Sequence, residues 1–303
     1  MSDYRGLWPV MLTAFHDDGR VDLAGVQALT DFYLDNGSHG LFAVCQSSEM
    51  YDLDDDERIA IATAVVQRTD GRVPVVATGT FPGPVDAQAA FVRRMAGTGV
   101  DAVIVLPNQL AGGDETEAEL KPRLEHLVEL TDPVPLGLYE CPQPHHRTLS
   151  PDLTAWAAST GRFHYMKDTT RVPARIRAKI DAVRDSPLRL FNAAPASALE
   201  SLRMGAAGLS PVGANLFPEL FAWLCDNPAD ERADWLQRSI SIFDGTVRHK
   251  YLQSAKRFLA THRDVPIGAF TRVATFPWDD YDELLHAALA SAIDDVRHGL
   301  ELA

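Results

Sequence analysis

Eight short apolar runs recur along the chain, and most of them are followed by a segment with helical patterning. The runs hold apolar residues at consecutive positions, which is typical of parallel strands that are buried on both faces. The predicted strands are residues 7–15, 40–45, 73–80, 100–107, 134–141, 163–168, 188–194 and 207–213. Eight strands that alternate with helices predict an α/β protein of the (β/α)8 TIM-barrel type.

A doubly wound sheet is the alternative architecture, but no Gly-x-Gly-x-x-Gly turn follows the first strand. The chain of 303 residues is longer than the ~250 residues of a typical barrel. Its remaining C-terminal part has helical patterning throughout. We therefore predict a barrel over residues 1–217 and a C-terminal helical extension, packed on the barrel, over residues 218–303.

Composition narrows the classes of function. A net charge of −14 leaves no basic stripe for nucleic acid. No apolar run approaches the ~18 residues of a membrane span, and the N-terminus lacks a signal-peptide pattern. The three cysteines, Cys45, Cys141 and Cys225, are far apart and form no Cys-x-x-Cys pair. We expect a cytoplasmic enzyme that acts on a small molecule without a metal or other cofactor.

The lysines are few, because the chain uses mainly arginine for surface charge. Lys121, Lys179 and Lys250 occur in polar stretches and are predicted to be solvated. Lys167 differs, because it ends the apolar run of "FHYMKDTT" at the mouth of the predicted barrel. Loss of hydration there favours the neutral amine, the nucleophile that forms a Schiff base with a ketone. Position alone leaves open whether Lys167 does this or extends outward into solvent.

Other strand ends supply further candidates. Tyr139 ends the fifth strand, next to the strand of Lys167, and its phenol could move protons; alternatively it only fills the barrel. Gln46, Ser47 and Ser48 follow the second strand, and their hydroxyls and backbone amides could hold a carboxylate. An ordinary turn is the alternative for these three. Glu49 beside them is either a supporting residue or solvated.

The loop after the fifth strand contains His145, His146 and Arg147. Adjacent histidines point in different directions, and no partner at metal-ligand spacing accompanies them, so we do not expect a metal site. These residues either contact an anionic substrate or belong to an exposed loop.

The motifs "GLYECP", "YMKDTT" and "APASALESLRMGAAGLSPVGAN" together resemble the dihydrodipicolinate synthase / N-acetylneuraminate lyase family of class I aldolases, from about Leu7 to Asn215. The resemblance implies that Lys167 forms a Schiff base with pyruvate or another 2-oxo acid. It makes Tyr139 the proton-transferring phenol. It places Gln46 and Ser47 where the family has two threonines that hold the carboxylate. Ser210 falls where a backbone carbonyl lines the pocket.

The chain departs from the family pattern around this core. Asn108 and Gln109 replace a tyrosine pair, so the phenol that a neighbouring subunit lends to the synthase is absent. The family's Gly-x-x-Gly-Glu is here "CQSSE". Glu140 replaces an asparagine and suggests a polar or hydroxylated second substrate, which the loop "ECPQPHHR" would select. A true dihydrodipicolinate synthase is therefore not expected.

We predict a lyase that makes or breaks a carbon–carbon bond of a 2-oxo acid through Lys167. The alternative is a dehydratase of a 2-keto-3-deoxy sugar acid that uses the same imine. A barrel that only binds a 2-oxo acid is a third hypothesis, which the Tyr139–Lys167 pair disfavours. The resemblance also implies a homo-oligomer, a dimer or a tetramer built from dimers.

Overall fold

The eight strands form one parallel sheet in a computed structural model that describes residues 4–302. The strands are β1 (Gly6–Leu7), β2 (Leu41–Val44), β3 (Val75–Thr78), β4 (Ala102–Val105), β5 (Leu136–Tyr139), β6 (Phe163–Asp168), β7 (Arg189–Asn192) and β8 (Gly208–Leu209). Consecutive strands pair from β2 to β8, and β8 pairs with β1. A parallel bridge between Val10 and Phe42 joins the segment after β1 to β2 and closes the ring. The predicted (β/α)8 barrel is confirmed.

The first and last strands are shorter than the patterns predict. The ladder of β1, Gly6–Leu7, shares only Leu7 with the predicted 7–15, and that of β8 covers two residues of the predicted 207–213. Pro9 and Pro211 follow closely on these strands, and a proline has no N–H to donate to a ladder. The chain after β1 nevertheless stays buried and contacts β2, where Met11 N donates to Phe42 O at 3.0 Å.

Eleven α-helices lie among residues 4–302. They are α1 (Leu23–Asp35), α2 (Asp55–Thr69), α3 (Val85–Ala96), α4 (Glu117–Leu130), α5 (Pro151–Ser159), α6 (Pro173–Val183), α7 (Ala198–Met204), α8 (Pro218–Asp226), α9 (Ala233–Arg248), α10 (Gln253–His262) and α11 (Asp280–Gly299). The α5 helix begins as its sequence indicates: Ser150 Oγ accepts from Leu153 N at 3.1 Å, and Pro151 occupies the first turn.

The α8 helix packs on β1 and β8, in the position of the eighth barrel helix. The sequence patterning assigns this helix to the extension. We propose instead that the barrel continues through α8 and that the extension consists of α9, α10 and α11. In residues 4–302, no helix is both long and apolar enough to cross a membrane.

Aromatic side chains fill the centre of the barrel. The ring of Tyr165 lies 4.6 Å from that of Phe191, 5.1 Å from that of Trp8 and 5.9 Å from that of Phe42, between centroids. Gly40 is required beside this layer, because a Cβ there would approach the Trp8 ring to 2.2 Å. The barrel is thus a packed core rather than a pore, and a substrate can reach only its ends.

Candidate active site

Lys167 lies on β6 directly opposite Tyr139 of β5, and its amine is buried. The side chain is 4% exposed, and Nζ lies 4.5 Å from the centroid of the Tyr139 ring. Among residues 4–302, Nζ has no hydrogen-bond or ion-pair partner. Burial lowers the pKa of Lys167 to about 8, and the positive charge of Arg248 acts in the same direction. The position therefore favours a neutral, nucleophilic amine.

Two thiols near Lys167 do not supply a counter-charge. Cys45 and Cys141 are both buried, and burial raises the pKa of each thiol above its usual value. Both are therefore neutral at neutral pH. The amine therefore loses its hydration without gaining a charged partner, which disfavours its protonated form, and the face of the Tyr139 ring offsets this only in part.

The phenol of Tyr139 is positioned by its neighbours. Its ring packs edge-on against Phe42, with 5.7 Å between centroids, and its hydroxyl donates to Gln46 Oε1 at 3.3 Å. Burial raises the pKa of Tyr139 well above the usual value, so the phenol keeps its proton. The structure thus brings together three predicted site residues, Lys167, Tyr139 and Gln46.

Ser47 joins the same region and has a partner that sequence reasoning missed. Its Oγ accepts a 2.9 Å hydrogen bond from the hydroxyl of Tyr251, which lies between α9 and α10. The Tyr251 hydroxyl in turn accepts from Asn215 Nδ2 at 2.7 Å, and Tyr33 donates to Asn215 Oδ1 at 2.7 Å. This buried network directs the Tyr251 proton at Ser47 and leaves the Ser47 proton available to a substrate.

Ser48 does not face the site. It is completely buried, and its Oγ lies 2.7 Å from the carbonyl oxygen of Met11 and 2.9 Å from that of Ala43. The Oγ also accepts from Cys45 N at 3.1 Å. The prediction that Ser48 contacts the substrate is therefore wrong, because the short 3-10 helix Gln46–Ser48 turns this side chain into the barrel wall.

Ser210 makes only internal side-chain contacts. Its Oγ donates to Trp8 O at 2.8 Å and accepts from the Tyr165 hydroxyl at 3.0 Å. The side chain is completely buried in the barrel centre. A contact of Ser210 with substrate, as the resemblance implies, can therefore involve only its backbone carbonyl.

Glu140 is also turned away from the mouth of the barrel. Its carboxylate is completely buried, pairs with Lys179, and accepts from Leu149 N at 2.7 Å and Thr169 N at 2.9 Å. Burial raises the pKa of Glu140, whereas the charge of Lys179 opposes this effect. The prediction that Glu140 contacts the second substrate is wrong, because both carboxylate oxygens are bound within the protein.

Lys179 is the partner that the sequence analysis placed on the surface, and that prediction is wrong. The side chain is 1% exposed, and Nζ lies 2.7 Å from Asp168 Oδ2 and 2.8 Å from Thr170 Oγ1. Ile176 and Ile180 flank Lys179 on the buried face of α6. The spacing of these residues, three and four positions apart, was the available signal that Lys179 faces inward.

Glu49 anchors the same loop to the C-terminal helices. Its Oε1 accepts from Lys256 Nζ at 2.6 Å, and both side chains are completely buried. Its Oε2 accepts from the backbone N–H of Arg272 at 2.5 Å. Of the two alternatives that the sequence left open, Glu49 is the supporting residue. The loop after β2 is thus held by α10 and by the segment after it.

The loop after β5 is held in place by hydrogen bonds from two side chains. Asn108 Nδ2 lies 2.8 Å from the carbonyl oxygens of Cys141, Gln143 and His145, so an amide holds the loop where the synthase pattern has a tyrosine. Arg147 donates to Glu115 O at 2.7 Å.

His146, in the same loop, faces the turn after β6. Its Nε2 lies 2.7 Å from Thr169 Oγ1, and burial lowers its pKa. The side chains of His146 and Arg147 therefore hold the loop in place. Residues 4–302 contain no group of three His, Cys, Asp or Glu side chains that could hold a metal ion.

A cleft of about 410 Å³ opens beside these residues. It is lined by Gln46, Ser47, Glu49, Met50, Tyr51, Asp52, Pro142, Gln143, Arg171, Val212, Arg248, Tyr251, Leu252, Val273 and Ala274. Gln46 belongs to the lining and also bonds to Tyr139, so it connects the cleft with the buried Lys167–Tyr139 pair. A substrate bound in this cleft could reach the amine.

A family model described as the dihydrodipicolinate synthetase family matches residues 3–279. The 4-hydroxy-tetrahydrodipicolinate synthase of Pseudoalteromonas atlantica is 28% identical over 74% of each chain. A probable 5-dehydro-4-deoxyglucarate dehydratase of Streptomyces avermitilis is 41% identical over 136 residues, 45% of this chain and 40% of that one.

Solved structures resemble the whole chain at low sequence identity. Dihydrodipicolinate synthase DapA-2 from Bacillus anthracis superposes with a TM-score of 0.85 at 19% identity, over 96% of this chain and 99% of that chain. YagE, a prophage protein from E. coli K12 solved with pyruvate, gives a TM-score of 0.83 at 21% identity over 99% of both chains. These matches support the fold.

Proposed function

Because the chain belongs to the dihydrodipicolinate synthetase family, whose members are lyases, we propose that it activates a 2-oxo acid as a Schiff base on Lys167. One observation carries the proposal. The Lys167 amine is buried without a counter-ion among residues 4–302, and it lies against the face of a phenol that ends the neighbouring strand. An amine kept in this state is prepared for nucleophilic addition.

The first steps can be assigned to residues. The neutral amine adds to the C2 carbonyl of the 2-oxo acid and forms a carbinolamine. The phenol of Tyr139 then protonates the departing hydroxyl, water leaves, and a protonated imine remains. The imine accepts the electron pair of the C3–C4 bond when an aldehyde leaves, or of a C3–H bond when a proton leaves, and an enamine forms. The enamine then takes up a proton at C3 in a lyase, or expels the C4 hydroxyl as water in a dehydratase. Because the pKa of Tyr139 lies well above the usual value, the phenol is protonated before the carbinolamine hydroxyl departs and regains its proton readily afterwards.

We assign the C1 carboxylate of the substrate to Gln46 and Ser47. The amide of Gln46 and the hydroxyl of Ser47 line the cleft next to Tyr139. Tyr251 donates to Ser47, so the Ser47 proton can point at a carboxylate oxygen or at the group that gains a proton in the reaction. This makes Tyr251 a positioning residue for Ser47 within the same chain.

The leading function is a lyase that makes or breaks a carbon–carbon bond, and the second candidate is a dehydratase. Both use the Lys167 imine. The carbon–carbon lyase releases an aldehyde from the substrate, whereas the dehydratase releases a hydroxyl group as water. The 41% identity with a relative named as a probable dehydratase supports the second candidate, although it covers less than half of each chain. Asn108 and Gln109 stand where the synthase has a tyrosine pair, so the phenol of the synthase's proton relay is absent. This argues against the synthase's reaction and against its second substrate.

Product analysis separates the two candidates. Incubation with 2-keto-3-deoxy sugar acids yields free pyruvate and an aldehyde from a lyase, and a dehydrated keto acid without pyruvate from a dehydratase. Either activity should be lost in Lys167→Ala. If no sugar acid or 2-oxo acid is turned over, the hypothesis of a barrel that only binds its ligand replaces both.

The homo-oligomer implied by the resemblance stays a prediction, as does a cytoplasmic location. The Tyr251–Ser47 contact nevertheless bears on what an oligomer would do. Since the phenol that reaches Ser47 belongs to the same chain, we propose that each protomer completes its own site. Assembly would then affect stability more than chemistry.

A further inference from the structure

Arg171 is held in an uncommon backbone conformation at the mouth of the barrel. Its φ is +61°, a left-handed value that is unfavourable for a residue with a long side chain. The side chain is exposed, lines the cleft, and has no ion-pair or hydrogen-bond partner in the described part of the chain. Strained residues that persist at the edge of a site usually serve that site.

The buried ion cluster explains how this conformation is maintained. Thr169 N donates to Glu140 Oε2 at 2.9 Å, and Thr170 N donates to Asp168 Oδ1 at 3.0 Å. Thr170 Oγ1 also accepts from Lys179 Nζ at 2.8 Å. The two residues before Arg171 are therefore fixed by a fully buried set of charges, and Arg171 is directed outward from a rigid turn.

Arg248, the last residue of α9, lines the same cleft. Its Nε donates to Asp244 Oδ2 at 2.7 Å, which leaves its terminal N–H groups for another acceptor. Two carboxylates also line the cleft. Glu49 is neutralised by Lys256, and Asp52 is exposed. Arg171 thus brings a positive charge without an ion-pair partner in the described residues to this cleft, whereas the charge of Arg248 is shared with Asp244, in a protein whose net charge is −14.

We propose that Arg171 and Arg248 form a second anion subsite, which binds a carboxylate at the far end of the substrate. The enzyme would then act on 2-oxo acids that carry carboxylates at both ends. This inference rests on the proposed function, because the 2-oxo end must lie at Lys167 for the rest of the molecule to extend into the cleft. A guanidinium matches a carboxylate in two parallel hydrogen bonds, and a local positive site is needed to attract a dianion to an acidic protein.

The test compares three acids of the same carbon chain that differ only at the far end. One is 5-dehydro-4-deoxyglucarate, which ends in a carboxylate, and the others end in a hydroxymethyl group or a phosphate. The Arg171→Asn variant removes the guanidinium, and asparagine tolerates a positive φ. Arg175→Gln is the matched control, since Arg175 is an exposed arginine on the first turns of α6 and does not line the cleft.

The wild-type enzyme should prefer the acid with the terminal carboxylate by kcat/KM. Arg171→Asn should lower the ratio of kcat/KM for the carboxylate acid to that for the hydroxymethyl acid by about 10- to 100-fold, as expected for one charged hydrogen-bonding group. Arg175→Gln should leave the ratio unchanged. An unchanged ratio in Arg171→Asn, or a wild-type preference for the phosphate or hydroxymethyl acid, would overturn the proposal.

A binding measurement separates this inference from the proposed function. Calorimetry with Lys167→Ala detects the subsite without any imine, and the terminal carboxylate should still bind more tightly than the hydroxymethyl group. Adding Arg171→Asn should remove the difference. If Lys167 forms no imine but this difference exists, the proposed chemistry fails while the subsite stands. If the imine forms and the difference is absent, only the subsite fails.

Discussion

The hydroxyl of Tyr251 donates a 2.9 Å hydrogen bond to Oγ of Ser47, although the two residues are 204 positions apart in the chain. Ser47 follows the second barrel strand, and Tyr251 precedes α10 of the C-terminal helices. The ion pair between Glu49 and Lys256 joins the same two regions. The C-terminal helices therefore supply and brace part of the candidate site in addition to covering the barrel.

Replacing Tyr251 by phenylalanine should lower kcat more than it raises KM. The variant removes the donor that orients Ser47, and a proton-transfer partner commonly contributes about 10²-fold or more, so we expect a loss of about 10- to 100-fold. Steady-state kinetics with any 2-oxo acid that the enzyme converts measures this loss in kcat and the change in KM. Tyr33→Phe is the control, because it breaks the network behind Asn215 but keeps the Tyr251–Ser47 bond. Equal losses in both variants would mean that the network only stabilises the fold.

The rate of imine formation should increase with pH through a midpoint near 8. Burial lowers the pKa of Lys167 to about 8, so roughly a tenth of the amine is neutral at pH 7, against less than about 0.1% for an ordinary lysine. Stopped-flow measurement of imine formation with pyruvate, from pH 6 to 10, gives the midpoint. A midpoint above 10 would show that Lys167 has an ordinary pKa.

Replacing Lys167 by methionine should stabilise the protein at pH 7 while abolishing activity. The pKa of Lys167 is about 8 in the folded state and about 10.4 in the unfolded state. Lys167 therefore lowers the free energy of unfolding by about 3 kcal/mol at pH 7. This cost stays constant below pH 8, decreases between pH 8 and about 10.4, and disappears above it. Urea unfolding of both proteins at pH 7 and 10.5 should show a difference that shrinks at the higher pH.

Replacing Lys179 by methionine should destabilise the protein strongly. The change leaves Glu140 and Asp168 buried without their shared cation, and breaking a buried pair in this way costs about 3–5 kcal/mol. Urea unfolding at pH 7 measures the loss. Lys121→Met is the control, since its pair with Glu125 is exposed and should contribute less than about 1 kcal/mol. A loss in Lys179→Met no larger than in the control would contradict the buried cluster.

The barrel was predictable from the sequence because its signals are local. Each buried parallel strand is a continuous apolar run in the sequence, and the pattern of a strand followed by a helix recurs along the chain. Lys167 and Tyr139 were predictable for the same reason: each ends a strand, and neighbouring strands in such a barrel place their ends together.

The residues that the sequence analysis misplaced all depend on contacts between distant segments. Glu140 and Lys179 are 39 positions apart and become buried only as a pair, so neither looks internal when judged alone. Tyr251 lies in a C-terminal segment that no strand rule connects to the mouth of the barrel. Ser48 differs from Ser47 only in the direction that one turn of 3-10 helix gives to its side chain.

The central claim is that Lys167 forms the imine, and reductive trapping tests it most directly. The protein is incubated with pyruvate and borohydride, and the intact mass and the modified peptide are determined. We predict one pyruvate-derived adduct per chain, located on Lys167 and absent from Lys167→Ala. The absence of an adduct with any 2-oxo acid tried, or an adduct on another lysine that persists in Lys167→Ala, would contradict the account.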